Sequence, residues 1–210
     1  MIQETQTAGR SDARIDLDPC LFQVDASKAW FDRRVLPLSI EQLRWRPGLR
    51  HWSIAECLDH LNLMLDLYLP KIDDAIARGA RQGSRRAGCS LYDPAELAAL
   101  ELLEPPVRIP ACAPCALMPA PAVDPDWLVD HFRQTRDRYA DAVRRAYGLD
   151  LPRVRIKDPL TPPIASLGGV LALIAAHDRR HMWQAERVRC ALRFPRAVFS
   201  ASNAGKAGAR

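Results

Sequence analysis

Two histidines stand one helical turn apart in the stretch Leu171-Ala-Leu-Ile-Ala-Ala-His177-Asp-Arg-Arg-His181-Met-Trp-Gln184. On a helix of 3.6 residues per turn their side chains lie about 40° apart on one face, with Gln184 about 20° to the other side of His177. Val170, Leu173, Ile174 and Val188 fall in the same sector, whereas Asp178, Arg179, Glu186 and Arg189 point elsewhere. The imidazoles are therefore directed into an apolar interior. Burying a polar group without a partner costs about 1–3 kcal/mol, so the placement needs a cause. Two imidazoles at this spacing can hold one metal ion. The alternative is a pair of core histidines hydrogen-bonded to other side chains.

A third histidine, His60, lies in HWSIAECLDHL, residues 51–61. It shares a helix flank with Cys57 and Met64, about 120° from the centre of the apolar stripe. In a bundle each helix faces two neighbours, so this flank can also point inward. One imidazole from one helix and two from another would cap an ion on one side and leave positions for water or substrate, the pattern of catalytic rather than structural zinc sites. Three nearby residues could support it. Glu56, one turn before His60, could act as a base, but it also fits a capping box with Ser53. Cys57 could be a fourth ligand or plain packing. Gln184 could orient a bound water or a ligand histidine. Trp52 and Trp183 could line a pocket or merely pack. His51 precedes the helix and His131 falls at the edge of its own stripe; neither is expected to be a ligand.

Four long helical patterns could position these residues. The first runs from about Pro19 to Leu36, with Asp18 as its cap and Pro19 at its first helical position. Leu17, Leu21, Val24, Phe31, Val35 and Leu38 form its stripe, and a short turn at Ser39 to Leu43 follows. The second opens at Ser53-Ile-Ala-Glu56. Ile54, Leu58, Leu61, Leu65, Tyr68, Ile72 and Ile76 keep helical spacing there, and Pro70 within it predicts a kink. The third runs from about Pro125 to Tyr147, capped by Asp124 and ended by Gly148, with Leu128, Phe132, Tyr139, Val143 and Ala146 as its stripe. The fourth begins near Ser166 and continues to about Leu192. Residues from about 80 to 124 are rich in Pro, Gly and Arg, and form a long excursion with one short helix near Pro94 to Leu103. No strand is expected. The economical packing is an all-α four-helix bundle with a long proline-rich connection between its second and third helices. The bundle domain spans 16–196, between disordered tails at 1–15 and 197–210.

With 210 residues, 48% hydrophobic and 26% charged, the chain can build one domain with a real core. It has no run of roughly eighteen apolar residues that could span a membrane, and no apolar segment near its N-terminus that reads as a secretory signal. Both features point to the cytoplasm. The net charge is +5. Its densest basic stretch, Arg78, Arg81, Arg85 and Arg86, could meet nucleic acid. No aromatic residue is interleaved to stack on bases, however, so a solvated loop is the better reading. The six cysteines should be mostly reduced in that compartment. Cys112-Ala-Pro-Cys115 would need a strand before it and a helix after it to act as a redox dithiol. It has neither, and reads as an incidental loop pair.

The segments HWSIAECLDHL and AAHDRRHMWQAERV (175–188) resemble the two signature stretches of the DinB-like family. The resemblance extends from roughly Cys20 to Leu192. It implies a four-helix bundle with one metal-ligating histidine on the second helix and an HxxxH pair on the fourth, here His60, His177 and His181. It also implies activity as a metal-dependent hydrolase, or as a transferase or isomerase acting with low-molecular-weight thiols, and makes a homodimer an option. Bound zinc can lower the pKa of water to about 7, and the same open position could activate a thiolate. Imidazole donors suit zinc, nickel, copper and iron alike; zinc or nickel is the expectation here. Three functions follow: a metal-dependent enzyme acting on a small-molecule substrate, a non-catalytic metal-binding or ligand-sensing bundle, and a nucleic-acid accessory protein. The first is preferred.

Overall fold

The computed structural model describes residues 16–84, 92–108, 112–120, 124–157, 160 and 165–196. The expected tails at 1–15 and 197–210, with Arg85, Arg86 and Cys89, lie outside the described residues. Six helices are present among them: α1 Asp18–Arg34, α2 Ile40–Arg44, α3 Ile54–Arg81, α4 Pro94–Leu103, α5 Pro125–Ala146 and α6 Leu167–Arg189. Helix α3 packs on α5 and α6, α1 closes against the same two, and α4 lies along α6. The fold is thus the expected all-α bundle of α1, α3, α5 and α6, and the long connection from α3 to α5 contributes α4. No helix among the described residues is long and apolar enough to cross a membrane.

Local chemistry explains most of the boundaries. Ser53 and Glu56 form the expected capping box at the start of α3. Asp124 accepts from the Asp126 N–H to cap α5, and Gly148, with φ 78°, ends it. Three expectations about the elements need correction. The start of α1 has no side-chain cap on its N-cap residue, Leu17. Asp18 is instead the first helical residue, and its N–H is met by Asp16 Oδ1 at 3.0 Å. Pro19 has no N–H, so this end has one donor fewer to satisfy. The turn expected at Ser39 to Leu43 is a helix, because Ser39 and Gln42 make a second capping box. Finally, there is a strand pair. Arg155 and Ile156 pair antiparallel with Ser166 and Ala165, two residues being too few to leave a periodic trace. Ser166 then caps α6 by accepting from the Gly169 N–H at 2.9 Å. Helix α3 runs through Pro70 as one element.

The apolar interior falls into two clusters. One gathers Leu65, Ile72, Tyr139, Val143, Leu167 and Ile174. The other gathers Phe31, Ile54, Leu58, Leu128, Phe132 and Val188. Each bundle helix contributes to both and carries polar residues at or beside the junction of its two contributions. These are Gln23 and Ser27 on α1, Asp59, His60 and Asn62 on α3, Thr135 and Arg136 on α5, and His177, Asp178 and His181 on α6, all of them buried. A polar belt therefore crosses the bundle at mid-height, in two parts.

One part centres on Arg136, whose side chain is fully buried. Its guanidinium donates to Asp178 Oδ1 at 2.9 Å and to Asn62 Oδ1 at 2.9 Å, and stacks over the Phe132 ring at 3.8 Å. The Ser27 hydroxyl stands 3.0 Å from Asp178 Oδ2. Asp178 was expected to point away from the interior and does not. Helix α6 touches α1, α3 and α4, so its buried arc is wider than its apolar stripe.

Candidate metal centre

The other part of the belt is formed by His60, His177 and His181. The capping box fixes the start of α3, and His60 follows one turn later. His177 and His181 extend from successive turns of α6. The three rings meet, with centroids 4.9 Å apart for His60 and His177, 4.5 Å for His60 and His181, and 4.4 Å for His177 and His181. Each offers one ring nitrogen to a cluster whose atoms all lie within 4.8 Å of one another, and no Cys, Asp or Glu among the described residues joins it. The residues are 3, 9 and 6% exposed, respectively. Trp52 covers one side, its ring 4.8 Å from His60 and 5.7 Å from His181.

Hydrogen bonds orient two of the rings. The Leu117 carbonyl accepts from His60 Nδ1 at 2.6 Å, and Gln184 Oε1 accepts from His181 Nδ1 at 2.9 Å. With its proton held on Nδ1, each ring turns a bare Nε2 lone pair inward, the tautomer that a metal ligand needs. His60 Nε2 lies 3.1 Å from His177 Nε2. Two nitrogens on one tetrahedral ion with bonds of about 2.0–2.1 Å stand roughly 3.3 Å apart, so the spacing is close to that of a shared ion. His177 Nδ1 is buried with no hydrogen-bond partner among the described residues. With the His60 proton committed to the Leu117 carbonyl, the His60 Nε2 lone pair can meet either a His177 Nε2–H or a cation shared by both nitrogens. The donor set and its tautomers therefore suit a divalent metal.

Burial keeps the rings neutral. Desolvation lowers the pKa of His60 despite the Leu117 carbonyl, which favours the charged form. His177 is lowered well below the ordinary value, by burial first and then by the neighbouring imidazoles and the guanidiniums of Arg180 and Arg136. His181 is pushed down to about 3, again chiefly by burial. The unfolded chain takes protons on these rings below about pH 6.5, while the fold refuses them until lower pH. Stability of the metal-free protein is thus present above about 6.5 and is lost as the pH falls from there toward the folded values. Urea melts of metal-free protein should give a clearly lower midpoint at about pH 5 than at about pH 7.5. Equal midpoints would show that the rings take protons within the fold.

The supporting residues separate clearly. Gln184 touches His181. Glu56 is occupied elsewhere: its carboxylate receives the Ser53 N–H at 2.8 Å and Arg46 Nε at 2.7 Å. Cys57 is buried in the apolar cluster with Phe31 and Phe132, outside the histidine cluster. Trp183 lies under the Arg187 guanidinium at 4.9 Å. His51 is exposed. His131 stacks on Trp127 and pairs with Asp66 at 2.7 Å. Sequence reasoning missed Leu117, whose contribution is a backbone carbonyl from an aperiodic segment, and the Arg136–Asp178 pair beside His177.

No curated protein and no solved structure matches the chain. The family model described as the DinB superfamily matches residues 23–185, a span that holds the three histidines and Gln184. With more than half of its length matched, the chain belongs to the DinB superfamily.

Proposed function

We propose that the protein holds a divalent metal ion, zinc or nickel, through His60, His177 and His181, and uses it on a small-molecule substrate, either hydrolysing it or transferring a low-molecular-weight thiol to it. The observation that carries this reading is the convergence of three neutral imidazoles with no fourth protein donor among the described residues. Such an ion would supply Lewis acidity and lower the pKa of a water or thiol bound at its open position. The residues of the chain do the rest. Three uncharged donors leave the positive charge of the ion undiminished. The Leu117 carbonyl and Gln184 hold two rings in the ligating tautomer, and Trp52 shields one side from solvent. Glu56 is not the base in this scheme, because the helix cap and Arg46 occupy it. A cytoplasmic setting, where thiols stay reduced, belongs to the same proposal.

Turnover by protein reconstituted separately with zinc and nickel, across esters, amides and thiol–acceptor pairs, is the test. Activity should appear with one class, vanish in His60→Ala and survive in His131→Ala. No turnover with either metal across that panel would favour a bundle that binds metal or ligand without catalysis.

A further inference from the structure

Of the cysteines among the described residues, Cys20 and Cys57 are buried, while Cys112, Cys115 and Cys190 are exposed free thiols. Cys112 and Cys115 sit three residues apart, at the start of a segment that reaches the histidine cluster. Cys115 opens a single 3-10 turn, Cys115–Leu117. That turn is closed by the Leu117 N–H on the Pro114 carbonyl at 2.9 Å and the Met118 N–H on the Cys115 carbonyl at 3.2 Å. Its last residue is doubly anchored: the Leu117 side chain is 2% exposed within the core, and its carbonyl accepts from His60 Nδ1. Three residues on, the Ala120 N–H donates to Asp59 Oδ2 at 2.8 Å, next to His60 in sequence. The segment is thus a strap. Its exposed end carries two thiols, and its buried end holds the tautomer of one ring in the cluster.

We propose that Cys112 and Cys115 form a reversible disulfide that resets the strap and thereby loosens His60. A low-molecular-weight disulfide is the oxidant. One thiolate attacks it, forming a mixed disulfide and releasing one small thiolate; the second cysteine thiolate attacks the mixed disulfide and releases the other. The pair loses two protons and two electrons, and the small disulfide is reduced to two thiols. A disulfide holds its two Cβ atoms about 3.8 Å apart. It would tie Ala113 and Pro114 into a closed ring, and the Pro114 carbonyl is the acceptor that sets the turn and aims the Leu117 carbonyl. A cysteine pair on a rigid helix would transmit nothing comparable, whereas a pair at the mouth of one short turn does. The consequence for metal affinity rests on the proposed metal site; the effect on His60 does not.

The experiment treats the full chain with reduced or oxidised glutathione. It maps the Cys112–Cys115 peptide by mass, follows the His60 imidazole nitrogens by NMR, and measures zinc affinity by competition with a chelator. Oxidation should form the intramolecular bond, shift the His60 Nδ1–H signal and weaken zinc binding about 10- to 100-fold, the usual cost of losing a hydrogen-bond partner to a ligand. Cys112→Ser and Cys115→Ser should each abolish the response while leaving the reduced state unchanged. Failure of the pair to oxidise overturns the proposal. So does a disulfide that leaves both the His60 signal and the zinc affinity unchanged. If the reduced protein binds no zinc but oxidation still shifts His60, the redox link stands and the metal reading falls.

Discussion

The purified protein will carry about one equivalent of a transition metal, and the His177→Ala/His181→Ala variant will carry none. Two of three donors are removed together, and the remaining imidazole, His60, offers a single nitrogen to an ion that would otherwise be fully hydrated. Elemental analysis of both proteins, untagged, reads the result directly. The stability consequence is as large. A ligand that binds only the folded state stabilises it by about 4 kcal/mol when present at a thousand times its Kd. Chelation should therefore lower the melting temperature of the wild type and leave that of the double variant unmoved. Metal retained by the double variant would place the ion elsewhere. No metal in either protein after incubation with zinc and nickel would make the three histidines core residues.

The metal candidates were legible because helical periodicity reports which residues share a face, and two imidazoles on an apolar stripe stand out against it. Gln184 was legible for the same reason, since three residues separate it from His181 on a helix. Leu117 was not. Its contribution is a main-chain carbonyl, to which side-chain identity gives no clue, and it arrives from 57 residues away in sequence. Asp178 was misplaced because an apolar stripe marks only the arc that hydrophobic residues fill. Helix α6 is gripped over a wider arc, where a charge survives by meeting its complement. Arg136 was the clue to that complement: it lies four residues after Phe132 and three before Tyr139, at a stripe position of α5. One charge on a stripe suggests a partner, but a single sequence does not say which helix supplies it.

That partnership sets the second large effect. Asp178→Ala should destabilise the fold by about 3–5 kcal/mol, because it leaves the Arg136 guanidinium charged and unpaired in the interior. For a protein of this size, that corresponds to a fall in melting temperature of roughly 6–20 °C. The pair itself contributes far less than this figure. Arg136 Nε and Asn62 Nδ2 already lack hydrogen-bond partners among the described residues, so the network is incompletely satisfied even when intact. Replacing both ends by apolar residues of similar volume, as in Arg136→Met/Asp178→Val, should therefore come close to wild-type stability or exceed it. The Phe132 ring under the guanidinium would then pack against a thioether. Chemical denaturation of the wild type, the two single variants and the double variant closes the cycle and isolates the coupling between the charges. A loss below about 1 kcal/mol for Asp178→Ala would mean that water reaches Arg136 and that the belt is wetter than its burial implies. If the double variant folds stably but its histidines no longer retain metal, the charged pair serves to hold His177 in place rather than to hold the bundle together.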